Sequence, residues 1–299
     1  HVGETNTGKT HASIERLMEV ETGVYLAPLR LLALEIQDKL NSENIACSLL
    51  TGEEENILSY AYHVSSTIEK LQLETPYDIC VIDEAQMIAD KQRGWAWTRA
   101  ILGVLSPEVH ICMAPEALDI VIKLIKDCKD TYEIIEHKRD TKLIFEDKPF
   151  DLNKDVKKGD ALVVFGKRKA LAVSAQLLNN NIKTSIIYGS LPYSTRKKQF
   201  ERFLDGETEV IVCTDAIGMG VNLPIKRIVF LETRKYDGVS LRKLNVSEIK
   251  QIAGRAGRRG IYDTGYVTAM TDCNLKAISE NQIANIENFA KDRKSEMEM

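Results

Sequence analysis

The residues with the most specific chemistry are the first ten. Gly3-Glu4-Thr5-Asn6-Thr7-Gly8-Lys9-Thr10 fits the pattern G-x-x-x-x-G-K-[ST]. In that pattern the glycines let the backbone turn so that its N–H groups cradle phosphate oxygens. A helix following from Thr10 adds unsatisfied N-terminal donors and the positive end of its dipole. Gly3, Thr5, Asn6, Thr7, Gly8, Lys9 and Thr10 are therefore candidate nucleotide contacts. Lys9 is expected to reach the β- and γ-phosphates, and the Thr10 hydroxyl to hold Mg²⁺. Only His1 and Val2 precede the loop, so the strand expected before it is read as cut short.

A second set of residues could act on what this loop binds. Asp83-Glu84 ends the apolar run Ile79-Cys80-Val81-Ile82, and open α/β sheets bind ligands at the carboxyl ends of their strands. Asp83 would hold Mg²⁺ and Glu84 would orient the attacking water. The bland reading of the pair is an acidic helix start favoured by the dipole. Much later comes Gln251-Ile-Ala-Gly-Arg255-Ala-Gly-Arg258. Arginines three apart after a short helix would present two guanidinium forks on one side and meet charge developing on a γ-phosphate. A Gly/Arg-rich stretch also suits a patch for RNA.

These groups need a scaffold of strands and helices. Strands are expected at Gly23–Ala27, Ile45–Leu50, Ile79–Ile82 and Val109–Met113, with Tyr132–Ile135 closing the sheet. Helices are expected over Leu29–Leu40 and Glu116–Lys126. The alternation loosens around 148–158 and restarts with strands at Ala161–Phe165, Thr184–Ile187, Glu209–Cys213, Arg227–Leu231 and Tyr266–Met270. Helices Lys169–Asn180, Ser194–Phe203 and Ser247–Gln251 fall among them. The fold class is α/β, with two domains in tandem, each a parallel sheet covered on both faces. The expected bounds are 1–148 and 149–270, with a polar tail over 271–299.

Composition narrows the setting. The 299 residues are 44% hydrophobic and 28% charged, ordinary for a globular protein long enough for two domains. No apolar run approaches the ~20 residues that span a bilayer, so no membrane partner is expected. The six cysteines are scattered without a C-x-x-C pair. Cys80, Cys112 and Cys213 lie in apolar runs and read as buried hydrophobes in a reducing compartment. The net charge of −4 divides unevenly, with 15 basic and 26 acidic residues over 1–150 and 25 basic and 18 acidic over 151–299. A polyanion could lie against the second half, and so could plain solvent.

Asp83-Glu84-Ala85-Gln86 resembles the DExH/DEAD-type box of superfamily-two helicases. The stretch 251–258 resembles their sixth motif, and Thr214-Asp-Ala-Ile-Gly-Met-Gly-Val-Asn222 their fifth. More narrowly, the chain is similar to the mitochondrial degradosome RNA helicases and their bacterial relatives. Thr5–Thr10, Ala27–Leu32, Thr51–Glu54, Asp83–Ile88, Arg93–Trp97, Ile187–Pro192 and Gln251–Arg258 carry that likeness, in order.

The resemblance implies two RecA-like domains that couple ATP hydrolysis, with Mg²⁺, to movement on single-stranded or partly duplex RNA. It makes Lys9, Asp83, Glu84, Gln251, Arg255 and Arg258 catalytic and sets Gly220 beside the nucleotide. It places Pro28, Arg30, Thr51, Gly52 and Thr67 of the first domain, and Gly189, Ser190 and Thr214 of the second, against the strand. These are loop hydroxyls, glycines and a cation, suited to backbone phosphates more than to base edges. It further implies an exoribonuclease partner and an intracellular site, bacterial cytoplasm or mitochondrial matrix.

Departures remain: Asn222 stands where relatives often carry Asp, and Met113-Ala-Pro-Glu116 lacks the hydroxyls of the usual third motif. Trp95 and Trp97 read as a packed helix rather than a base-stacking pair. A DNA translocase on the same fold and a non-hydrolysing RNA-binding scaffold are the rival functions.

Overall fold

The computed structural model describes residues 1–270 except 219–222, 237 and 259. The chain divides into two compact units between Lys138 and Arg139. The first unit holds strands β1 Val2–Gly3, β2 Gly23–Ala27, β3 Cys47–Leu50, β4 Glu55–Asn56, β5 His63–Thr67, β6 Ile79–Ile82, β7 Glu108–Ile111 and β8 Glu136–His137. Its helices are α1 Lys9–Leu17, α2 Arg30–Ser42, α3 Gly94–Gly103 and α4 Leu118–Asp127.

The strand order is β4-β3-β5-β2-β6-β7, and all neighbours are parallel except the short β3–β4 pair. β1 extends the sheet beyond β7 through a parallel bridge between Val2 and Met113, and β8 pairs with β1 on its other side. Every residue of β2 and β6 is buried, as expected of parallel strands covered on both faces. Trp97 of α3 fills the space beneath them, fully buried.

Two features differ from the sequence expectation. The closing strand is Glu136–His137, not Tyr132–Ile135: Val2 N donates to Ile135 O, and the pairing register runs on from there. The central strand β5 was not anticipated, because His63, Ser65 and Ser66 break its apolar pattern. These polar groups are buried but satisfied, His63 Nε2 against Leu17 O at 3.0 Å and Ser65 Oγ on Ala33 O at 2.7 Å.

The second unit holds β9 Lys142–Phe145, β10 Asp160–Val163, β11 Thr184–Ile187, β12 Val210–Cys213, β13 Arg227–Phe230, β14 Arg234–Tyr236, β15 Leu241–Lys243 and β16 Thr264–Ala269. Helices are α5 Lys167–Asn179, α6 Tyr193–Leu204 and α7 Val246–Ala253. The parallel order is β11-β12-β10-β13-β16-β9, with β14 and β15 as a separate antiparallel hairpin.

β9 shifts the boundary: residues 142–145 pair with β16 in the second sheet, so the division falls ten residues before the expected 148/149. The segment after β9 is fastened by Arg227. Its guanidinium meets Asp160 at 2.8 Å, Glu146 at 3.2 Å and the Asp155 carbonyl at 2.7 Å, over the Phe150 ring. Among the described residues no helix is long and apolar enough to cross a membrane.

Candidate nucleotide and nucleic-acid sites

The loop from Gly3 to Gly8 has the backbone its sequence demands. A Cβ on Gly3 would sit 2.6 Å from both His137 O and Thr7 Oγ1, so only glycine fits there. Gly8 has φ +83° and forms the N-cap of α1, a left-handed turn that glycine adopts without strain. Thr7 Oγ1 and Lys9 Nζ both donate to Glu4 O, at 3.0 and 3.1 Å. Lys9 is buried, and that carbonyl takes one of the three N–H groups its ammonium carries. Donor capacity for an anion is therefore built into the loop, beside the N-terminus of α1.

The acidic box adjoins this loop directly. Asp83, buried at the carboxyl end of β6, accepts from Thr10 Oγ1 at 3.0 Å and from Tyr25 OH at 2.7 Å. Trp97 Nε1 donates to the Asp83 carbonyl at 3.0 Å, so α3 holds the box from behind. Burial pushes the Asp83 carboxyl up to about 6 and the Glu84 charge adds to this, against the Tyr25 hydrogen bond, the Lys9 charge and the Thr10 hydroxyl.

Glu84 is held at φ +51°, a left-handed conformation rare for a non-glycine residue and common at functional sites. Gln86 Nε2 donates to the Glu84 carboxylate, while Gln86 Oε1 accepts from Ala114 N at 3.0 Å. The third-motif position, which has no hydroxyl, thus joins the box through its backbone. Tyr25, Gln86 and Trp97 were missed as support for the site. A buried Tyr in a parallel strand was the available signal, since its hydroxyl must find a partner. Trp95, by contrast, is exposed, so the two tryptophans do not share one role.

Among the described residues no group of three or more His, Cys, Asp or Glu could hold a metal ion. The Thr10 and Asp83 oxygens instead form the sparse hard-donor set that suits Mg²⁺ shared with phosphates.

The expected strand contacts of the first unit follow β2, β3 and β5, which lie side by side as β3-β5-β2. Pro28 and Arg30 follow β2, Thr51 and Gly52 follow β3, and Thr67 ends β5, all at the carboxyl ends of adjacent parallel strands. Several of these groups are already engaged. Pro28 O accepts from Arg93 at 2.6 Å. The buried Thr51 hydroxyl donates to Glu54 O at 2.8 Å and accepts from Glu54 N at 3.0 Å. Gly52 is exposed and Thr67 buried.

In the second unit Gly189, Ser190 and Thr214 line a cleft of about 490 Å³. Its walls also include Gly166 and Lys167 after β10, Lys235 and Arg242 of the β14–β15 hairpin, and the acidic Asp215, which pairs with Lys235 at 3.3 Å; the Lys167 ammonium lies over the Tyr188 ring. Burial raises the Glu248 carboxyl, yet hydrogen bonds from Arg242 and Lys235 hold it at about 2 and anchor the hairpin to α7.

α7 begins with a capping box between Asn245 and Glu248 and carries Gln251 in its last turn. Arg255 and Arg258 follow the helix rather than lying on it, with Gly257 at φ +81° between them. Arg255 donates from Nε and NH2 to the buried Gly218 carbonyl, at 3.1 and 2.6 Å. Arg258 forms an antiparallel bridge with Tyr262. The Arg255 fork is thus committed to a carbonyl of its own unit, while the Arg258 bridge is a pairing of backbones. Gly220 lies outside the described residues, as do Asn222 and the tail over 271–299.

Family models match both units: the DEXQ-box helicase domain of Suv3 over residues 1–137 and the helicase conserved C-terminal domain over 147–260. The chain is 45% identical over 289 residues to the ATP-dependent RNA helicase SUV3, mitochondrial, of Candida albicans, covering 94% of this chain and 40% of that protein. Its identity to the Saccharomyces cerevisiae protein of the same name is 41% over 300 residues, 96% of this chain and 41% of that one. The chain thus spans about two fifths of the length of these relatives. S. cerevisiae Dbp5 bound to RNA and ADP BeF3 shares the fold, with a TM-score of 0.65 at 20% identity, covering 99% of this chain and 88% of that one.

Proposed function

We propose that this chain, which matches the DEXQ-box helicase domain of Suv3 and then the helicase conserved C-terminal domain, is the motor core of an ATP-dependent RNA helicase. The observation that carries this reading is the 3.0 Å hydrogen bond from Thr10 to Asp83, which joins the phosphate loop to the acidic box.

In this reading the loop amides and Lys9 bind the ATP phosphates. Thr10 and Asp83 hold Mg²⁺, which when bound would offset charge on the β- and γ-phosphates. Glu84, oriented by Gln86, positions the attacking water. Gln251, Arg255 and Arg258 are assigned to the same hydrolysis, the two arginines by supplying positive charge, for which Arg255 gives up the Gly218 carbonyl. Pro28, Arg30, Thr51, Gly52 and Thr67, with Gly189, Ser190 and Thr214, grip the sugar–phosphate backbone. A role in RNA turnover beside an exoribonuclease belongs to the same proposal. The relatives' names favour the mitochondrial matrix over a bacterial cytoplasm.

The test is steady-state ATP hydrolysis with and without single-stranded RNA, against DNA of the same sequence, in wild type and Lys9→Ala. Hydrolysis stimulated by RNA and abolished in the variant is expected. Equal or greater stimulation by DNA would favour the DNA translocase. ATP binding without hydrolysis, with or without RNA, would favour the scaffold.

A further inference from the structure

The cation expected to meet the strand in the first unit is already bound to anions of its own chain. Arg30 opens α2 just after β2, and its two terminal nitrogens donate to Glu53 at 2.6 Å and Glu54 at 2.8 Å. Both acids lie in the turn between β3 and β4, which reaches across the end of β5. The turn is locked: Thr51 N donates to Glu54 O at 2.9 Å, and the Thr51 hydroxyl makes two further bonds to the Glu54 backbone. Beyond it, Glu55 takes Lys70, which follows β5, at 3.2 Å. Three consecutive carboxylates thus engage two cations at the strand ends where a backbone phosphate is expected.

A carboxylate presents a guanidinium fork with the same kind of oxygen pair that a phosphate does. The pairing is also of a strength that a phosphate can displace. Glu53 is 75% exposed, Glu54 46% and Arg30 40%, and ion pairs so open to solvent hold weakly. Arg30 Nε is buried without a hydrogen-bond partner, so the two carboxylates leave the fork incompletely satisfied. The half of the chain that contains the turn carries 26 acidic against 15 basic residues, which leaves few cations there to draw a polyanion in.

We propose that the Glu53–Glu54 turn is a built-in competitor for the nucleic-acid strand. It occupies the fork of Arg30 until a backbone phosphate displaces it, and so sets how firmly the first unit holds the strand. The inference rests on the proposal that Arg30 meets that strand. A competitor of this kind keeps the grip weak enough to be released in each cycle. The opposite role for the same contacts, aiming Arg30 at the phosphate, makes the opposite prediction.

The deciding experiment measures binding of a fluorescently labelled single-stranded oligouridylate by anisotropy over a range of salt concentrations. It compares the wild-type chain, the double variant E53Q/E54Q, and Glu43→Gln, which removes an exposed charge at the far end of α2. The double variant should bind roughly three- to tenfold more tightly. Its log K against log salt should steepen by about 0.7, since Arg30 would then exchange a solution ion rather than a tethered one. Both effects should vanish when Arg30→Ala is added. Equal or weaker binding by E53Q/E54Q overturns the competitor, as does a gain that persists with Arg30→Ala or is matched by Glu43→Gln. If the wild-type chain binds no RNA at any salt concentration, the helicase reading itself fails, and the competitor fails with it.

Discussion

Thr10 Oγ1 donates to Asp83 Oδ1 at 3.0 Å across 73 residues of chain. The bond links the start of α1 to the end of β6 and sets two hard oxygen donors side by side. On the proposed reading this pair holds Mg²⁺. Thr10→Ala should raise the Mg²⁺ concentration giving half-maximal ATP hydrolysis by roughly tenfold or more, while Thr10→Ser stays near wild type. A Mg²⁺ titration of the ATPase at fixed ATP measures it. An unchanged midpoint in Thr10→Ala would remove Thr10 from the metal site.

Asp83 also makes a pH-dependent contribution to stability. Its folded pKa of about 6 lies above the ordinary value of 3.8, with burial as the leading cause. The folded chain therefore binds this proton more tightly than the unfolded chain. The ionised carboxylate costs stability above about pH 6, and that cost fades as pH falls toward 4. The nucleotide-free Asp83→Asn variant should thus gain on wild type as pH rises from 4 through about 6, and the gap should then level off. Urea unfolding of both proteins at several pH values measures the difference. A constant gap across that range would count against the shift.

Arg255 and Arg258 should separate experimentally. Arg258→Ala should lower kcat for ATP on the order of a thousandfold, as loss of an arginine finger does, with little change in KM. Arg255→Ala leaves the buried Gly218 carbonyl without its guanidinium donor and should also destabilise the second unit by about 1–3 kcal/mol. Single-turnover hydrolysis paired with thermal unfolding of each variant reads both quantities. Full activity in Arg258→Ala would remove it from the proposed chemistry.

The Arg227 cluster offers a test of stability alone. Arg227→Ala strands the buried Asp160 carboxylate, which is 2% exposed, and releases the Glu146 and Asp155 contacts. A loss of roughly 3–5 kcal/mol is expected from breaking one side of a buried pair. Chemical denaturation followed by circular dichroism checks it, and a loss under 1 kcal/mol would show that the cluster relaxes into solvent.

Much of the scaffold was legible along the chain. β2, β6 and β11 fall where their apolar runs lie, and both sheets are parallel, but for the short β3–β4 pair, as the alternation required. β5 escaped because its buried polar residues are satisfied by Leu17 and Ala33, groups that pattern reading cannot pair with them. β9 escaped because its neighbour in the sheet, β16, lies some 120 residues later and no local feature announces that pairing. Tyr25 and Trp97 entered the site as side chains of the core, where burial obliges their polar atoms to find Asp83.

The sequence by itself determined the chemical inventory. Gly3 and Gly8 permit the loop, Lys9 and Thr10 serve phosphate and metal, and Asp83-Glu84 ends a strand. These features are local, because backbone freedom and residue type act within a few positions of one another. Tertiary structure alone decided how those groups are committed. Thr51's hydroxyl locks a turn, Arg255 grips a carbonyl, and Arg30 lies between two carboxylates of its own chain. Arg30 and Arg255 find their partners more than twenty residues away, so their roles depend on how folded segments approach. Composition and spacing leave that approach open.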